Sequence, residues 1–397
     1  MLRRFLRYVE KVYAFDSLLS QLEDGRRNPS IPTDAVLRST FLMFVLRLGS
    51  LNALEQYLKQ SGKRIRDWIG TTPSADTVGY CASRFDLNRL REMLHQIYLK
   101  LRRNNALKPL SIDCLKVLAI DGHELFCSYN RCCHKCCVRK VGERIQYYHR
   151  IVAAQLIGGP LALPLDVEPI LPGEDEVAAS SRLFERVCRL FPKAFEVVTV
   201  DALYAKAGFF NLVQSYNKDV IAVLKDERRE LVQDATSLFE HTQPVLNFKT
   251  GSNKYAIWDD EGFLTWQNVK CCVRVVQSVE DKLDKQPPTT KRWVWVTTIP
   301  RQKTSTRTIW RIGHARWDIE NRFFNEAVTY YALDRAYKHD PNAILFMVLT
   351  LMIALVLANA FYLLNLKPEK RCCLTKKLLA ELLKQDICLT MRALAPT

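Results

Sequence analysis

The sequence predicts an α/β protein with a helical N-terminal domain, a core of alternating strands and helices, and a β-rich insertion that interrupts the core. Three observations lead there. Residues 1 to about 110 carry apolar side chains at helical spacing. From Leu115 onward, short β-branched and aliphatic runs alternate with helical patterns. Residues 226–304 break that alternation with hairpin-like pieces.

At 397 residues the chain exceeds one ordinary core and suggests two or three domains. A hydrophobic share of 48%, 25% charged residues, 14 Gly and 16 Pro are globular values and exclude a disordered chain or a collagen-like repeat. The net charge of +16 points to a polyanion, first of all nucleic acid, because Lys and Arg gain affinity by releasing phosphate counterions. Residues 1–110 hold 19 Lys+Arg against 10 Asp+Glu, net +9, so over half of the charge sits in about a quarter of the chain. Thirteen cysteines, an odd number, and a start without a cleavable signal lead us to expect free thiols in a reducing, cytoplasmic setting. "AILFMVLTLMIALVLANAFYLL", Ala343 to Leu364, is long enough to span a bilayer. It continues directly from a charged helical region, and we expect a buried core helix and no membrane contact.

In the N-terminal part, "TDAVLRSTFLMFVLRLGSLNALEQYLKQ" predicts helix after Thr33/Asp34 with a break at Gly49. Pro73 and Ser74 open a second helical run to Arg103. "LKVLAID", "YYHRIVAAQLI" and "LALPLDVEPIL" predict three strands. "EDEVAASSRLFERVCRLF" follows as a helix whose first-turn acids suit the dipole. "FEVVTVD", "AKAGFFNLVQSYN" and "VIAVLK" then predict strand, helix and strand. Three strands, a helix, then strand, helix, strand is the order of an RNase H-like core, and strand chemistry alone leaves other α/β folds open. In the insertion, "LNFKTGSNKYAIW", "NVKCCVRVV" and "RWVWVTTI" predict strands, the first piece turning at Gly251.

Three carboxylates stand out. On a wheel of ~100° per residue, Glu320 falls inside a stripe formed by Trp317, Phe323, Phe324, Ala327 and Tyr331, with Arg316 close to it. Asp318 and Glu326 fall on the far side and are expected to face solvent. A core-facing glutamate needs a partner, either Arg316 or a cation in a cleft. Asp121 and Asp201 each end a predicted buried strand, where open α/β sheets place ligand sites. Taken singly, either aspartate reads as an Asx turn or a helix N-cap. Together with Glu320, in this strand order and in a basic protein, they suit two-metal phosphodiester chemistry.

The chain resembles the DDE transposases of bacterial insertion sequences, in the group with a β-rich insertion before the last acid. The resemblance runs over roughly residues 15–365 and is carried by "LAIDGHELFCS", "YYHRIVAAQLIGGPLALPLDVEPILPGEDEVAASSRLFERV", "VVTVDALYAKAGFFN" and "RWDIENRFFNEAVTYYALDRAYKHDPNAI". It implies that Asp121, Asp201 and Glu320 are the catalytic residues and the ligands of Mg²⁺, with Mn²⁺ as a substitute. It implies DNA cleavage at transposon ends and strand transfer into target DNA, by a homodimer on double-stranded DNA near the bacterial nucleoid. The family signature is Tyr, two residues, Arg, three residues, Glu, six residues, Lys. Arg316 and Glu320 fit it, whereas Gly313 stands at the Tyr position and Ala327 at the Lys position. Those two departures motivate a second possibility, a DNA-binding protein derived from a transposase with impaired catalysis.

The expected division is a DNA-end-binding helical domain at 1–110, the two parts of the catalytic core at 111–225 and 305–366, the insertion at 226–304, and a basic tail at 367–397. Arg316, Lys225, Trp293 and Trp295 are candidate DNA contacts. The two tryptophans share one strand face and suit stacking on an unpaired base or packing in a core. In "RCCHKCC", Cys133-x2-Cys136 has the spacing of half a zinc site, but the complementary pair is not evident nearby, Cys271-Cys272 and Cys372-Cys373 being remote. Structural zinc is therefore not expected. No glycine-rich phosphate loop is present, which argues against nucleotide hydrolysis.

Overall fold

The computed structural model describes residues 1–225, 229–263, 265–284 and 286–392. Its centre is one mixed sheet of ten strands. They are β1 (Val117–Ser128), β2 (Cys137–Val141), β3 (Arg144–Ile157), β4 (Leu163–Ile170), β5 (Val197–Val200), β6 (Asp219–Val223), β7 (Leu246–Thr250), β8 (Asn253–Phe263), β9 (Val273–Lys282) and β10 (Thr289–Thr297). The order is β2-β3-β1-β5-β6-β10-β9-β8-β7, with β4 also on the outer edge of β3. β1 runs antiparallel to β3 and parallel to β5, and β5 is parallel to β6.

Every predicted core strand is present, with two differences. The short hairpin strand β2 was not predicted; its residues, CVRKV, are mostly exposed and do not alternate apolar with polar as a half-buried strand does. β1 does not end at Asp121 but continues to Ser128, because β3 is long enough to pair with it that far. The insertion forms no separate sheet: β10 pairs antiparallel with β6, so Trp295, Val296 and Thr297 extend the core sheet and carry β9, β8 and β7 with them.

Seven helices precede the sheet: α1 (Leu2–Tyr13), α2 (Phe15–Leu19), α3 (Thr33–Val45), α4 (Leu51–Lys59), α5 (Lys63–Ile69), α6 (Ala75–Ala82) and α7 (Leu87–Arg103). The run predicted from Ser74 to Arg103 is two helices. Ser74 caps α6 through Thr77 N–H at 3.2 Å, and Asp86 caps α7 through Asn88 N–H at 3.0 Å. Later come α8 (Glu176–Leu190), α9 (Ala207–Ser215), α10 (Arg229–Glu240), α11 (Thr306–Ala315), α12 (Asn325–Tyr331), α13 (Pro341–Ala360), α14 (Pro368–Cys372) and α15 (Lys376–Arg392).

The apolar helix α13 is buried on nearly every face. It packs against α3, α6 and α7 on one side and β4 on another, which explains a helix with no polar stripe. The N-terminal helices therefore share a core with the sheet. An ion cluster reinforces the join. Asp166 of β4, fully buried, accepts from Arg91 of α7 at 2.9 Å and from Arg186 of α8 at 2.5 Å.

Candidate active site

The parallel register of β1 and β5 pairs Val117 with Val197 and Ala119 with Thr199. Two residues further along, Asp121 and Asp201 occupy matching positions where β5 ends. The local sequence makes both accessible. β5 stops at Val200, so Asp201 is free to cap the turn Ala202–Tyr204, accepting from Leu203 N–H at 2.8 Å. Asp121 remains in β1 and pairs with Ala153 of β3, but its β5 neighbour has left the sheet. The cap reading holds for Asp201, whereas Asp121 is neither turn nor cap but an inner residue of β1.

Asp121 Oδ1 accepts from Gly122 N–H at 3.0 Å and Oδ2 from Arg316 Nη1 at 3.2 Å. Burial pushes the Asp121 carboxyl up to about 6; the Arg316 guanidinium opposes this, and the charges of Asp201 and Glu176 add to it. Arg316, itself buried, stacks over Trp317 at 4.5 Å and keeps its Nε without a hydrogen-bond partner.

Glu320 lies one turn beyond Arg316 and is half-buried. The helix here is irregular: α11 ends at Ala315, and Glu320–Phe324 forms a π-helical turn before α12. The wheel of ~100° per residue does not apply through such a segment. Phe323, Phe324, Ala327 and Tyr331 are buried as expected, but Trp317 is 40% exposed. The two carboxylates expected to face solvent are instead engaged. Asp318 pairs with Arg322 at 3.1 Å and accepts from Gly158 N–H at 3.4 Å. Glu326 pairs with Lys376 at 2.7 Å, tying the α12 region to α15. Phe324 stacks on His123 of β1 with centroids 4.6 Å apart, which fastens the Glu320 turn to the strand that carries Asp121.

Glu176 was legible in the sequence only as a first-turn acid of α8. The structure buries it beside Gly122, where Tyr204 Oη donates to Oε1 at 2.9 Å and Arg150 Nη2 donates to Oε2 at 2.5 Å. Burial raises its pKa, against the Tyr204 hydroxyl and the Arg150 guanidinium. Gly122 makes the approach feasible, since an added Cβ would lie 2.2 Å from Glu176 Oε2.

Asp121, Asp201 and Glu176 therefore concentrate negative charge around one strand opening, with Arg316 and Arg150 as counterions. Their donors are carboxylate oxygens, the type a hard cation prefers. The three predicted ligands do not close on a single point. Among the described residues, the group whose ligand atoms all lie within 4.8 Å of one another is Cys133, Cys136, His149 and His339. The missing half of the Cys-x2-Cys pattern is thus two histidines, not the remote cysteine pairs.

Of the expected DNA contacts, Lys225 is exposed just after β6. Trp293 is half-buried and stacks on Trp295 with centroids 6.1 Å apart. Trp295 is 1% exposed and lies in the core, so the base-stacking role is corrected to packing: β10 is an inner strand, and α11 covers this face. His314 and Arg311, near the altered signature positions, are bound internally to Glu280 and Asp113.

The family model described as a transposase DDE domain matches residues 142–357. No curated protein matches the sequence. Among solved structures, the NurA nuclease from Sulfolobus solfataricus is 14% identical over 76% of this chain and 97% of its own. Its TM-score of 0.25 is too low to carry a structural argument.

Proposed function

The chain belongs to the family of transposases with a DDE domain, and from that premise we propose that it cuts DNA at transposon ends and joins the freed ends to target DNA, using Asp121, Asp201 and Glu320. The observation that carries this reading is that Asp121 and Asp201 each lie two residues past Ala119 and Thr199, the last paired positions of a parallel strand pair, with Arg316 linking Asp121 to the Glu320 turn. The order β4-β3-β1-β5-β6 and its strand directions support an RNase H-like core.

Magnesium, or manganese in its place, would supply Lewis-acid stabilisation of the attacking and leaving oxygens when held by the three carboxylates. The chain's own groups do the rest. Asp121 would offer an oxygen from β1, Asp201 one from the turn that follows β5, and Glu320 a third from the π-helical turn. Arg316 orients Asp121 through Nη1. Water attacks in the cleavage step and a 3′-hydroxyl in the joining step, so no covalent enzyme intermediate is needed.

The basic N-terminal helices are the proposed reader of the transposon end, Lys225 a contact to the DNA backbone, and a homodimer on DNA the working assembly. Gly313 and the buried Ala327 support an alternative, a DNA-binding protein with impaired catalysis. The test is nicking of DNA carrying the element's own terminal repeats. With Mg²⁺, the wild type cuts at the ends. Asp121→Ala, Asp201→Ala and Glu320→Ala each lose about 10³-fold or more, as expected if each carboxylate supplies several kcal/mol, yet still bind the ends. Undiminished cutting by all three variants overturns the assignment, and end binding without cutting by the wild type selects the alternative.

A further inference from the structure

We propose that Cys133, Cys136, His149 and His339 bind one structural zinc ion, at a site separate from the carboxylates. The two cysteines come from the loop between β1 and β2, His149 from β3, and His339 from the segment between α12 and α13. Cys133 and His339 are half-buried, and Cys136 and His149 are buried.

The distances match a tetrahedron. Ligands at the usual Zn–S and Zn–N lengths stand about 3.8 Å apart for two sulfurs and about 3.6 Å apart for sulfur and nitrogen. Here the two sulfurs are 3.7 Å apart. Cys133 Sγ lies 3.5 Å from His149 Nε2, and Cys136 Sγ lies 3.3 Å from His149 Nε2 and 3.2 Å from His339 Nε2. The sulfurs are too far apart for a disulfide, whose S–S length is about 2.05 Å.

The loop is folded for ligation. Cys136 N–H donates to Cys133 O at 3.1 Å, closing a tight turn, and Cys133 N–H donates to Cys136 Sγ at 3.1 Å, which orients the sulfur. Both imidazoles turn Nε2 toward the sulfurs while their rings pack against Phe126, with centroids 5.4 and 5.7 Å away.

Sulfur and imidazole donors favour zinc over magnesium, and four protein ligands leave no open position for chemistry. The role is a clasp. Cys136 and His339 are 203 positions apart, so the ion would join the β1–β2 hairpin region to the chain leaving the Glu320 helix. The expectation of no structural zinc is revised for this reason: half of the site lies beyond any local spacing pattern.

The test uses the full chain, purified from zinc-supplemented cells, with metal measured by mass spectrometry. About one zinc per chain is expected. Replacement by Co²⁺ should give the visible bands of a tetrahedral site and a thiolate-to-cobalt charge-transfer band. Cys136→Ser and His339→Ala should lose the metal and lower Tm by several degrees, whereas Cys132→Ser, His134→Ala and Asp121→Ala keep it. His339→Cys should retain the ion with a stronger charge-transfer band, three thiolates replacing two, which keeps the test valid if the other variants fail to fold. A wild-type protein without zinc and without cobalt bands overturns the proposal. So does full zinc content in folded Cys136→Ser.

Discussion

Gly313 faces the indole of Trp295 so closely that an added Cβ would lie 2.4 Å from Nε1. Trp295 is an immobile core residue of β10, not a flexible surface group. The family's Tyr position is therefore a glycine because a tryptophan from the insertion occupies the space a side chain would need.

This yields a stability prediction. Alanine is favoured over glycine inside a helix by about 1 kcal/mol, but overpacking costs about 1–3 kcal/mol. With backbone-adjacent contact this close, overpacking wins. Gly313→Ala should lower stability by about 1–2 kcal/mol in denaturant titration, and Trp295→Leu should make the second change less costly. A neutral or stabilising Gly313→Ala in the wild-type background would refute the packing explanation.

Asp121 should set a pH limit on metal binding. Its carboxyl, raised from 3.8 to about 6, binds a proton in the folded chain between those values, so metal-free stability falls as pH rises through that window. A cation favours the ionised form and reverses the trend. Mg²⁺ should raise Tm above about pH 7, with the increment fading as pH falls through about 6. Asp121→Asn should abolish the increment. Asp201→Asn, which removes a second proposed ligand, should abolish it too, whereas Glu176→Gln should keep it and move its midpoint to lower pH. An Mg²⁺ effect as large at about pH 5 as at about pH 8 would contradict this account.

Asp166 has two guanidinium partners and no exposure. Replacing it with alanine leaves Arg91 and Arg186 without their shared carboxylate at the join of α7, β4 and α8. The expected loss is about 3–5 kcal/mol, read as a lower denaturation midpoint. Arg89→Ala, on an exposed i,i+3 pair with Glu92, should cost under about 1 kcal/mol. Equal effects would show that burial of the cluster is not what matters.

Glu280 predicts acid sensitivity in the insertion. Burial would raise its carboxyl, but His314 at 2.6 Å, Trp310 at 3.0 Å and Lys282 at 3.1 Å together hold it down at about 2. A depressed acid contributes stability above its unfolded value of 4.5, and that contribution is lost as pH falls from there through about 2. Glu280→Gln should flatten the acid limb of the Tm-against-pH curve over that window. An unchanged limb would assign the acid sensitivity to other carboxylates.

The sequence by itself determined β3, β4, β5 and β6, the helices α8 and α9, the buried nature of α13, and the candidate acids Asp121, Asp201 and Glu320. The strands follow from continuous aliphatic and β-branched runs, buried at every position in β5 and β6, and the acids from polar residues that interrupt apolar patterns. Asp318, Glu326 and Trp317 were misplaced because the helix breaks at Arg316 and Trp317, and because Gly158, Arg322 and Lys376 supply partners that a helical wheel does not show. Only the tertiary structure decided that β10 joins β6, that Trp295 excludes a side chain at position 313, that Glu176 stands beside Gly122, and that His149 and His339 complete the Cys133–Cys136 pair. Each depends on residues far apart in the chain meeting through sheet register and core packing, and a local pattern carries no information about which distant partner a strand or turn will meet.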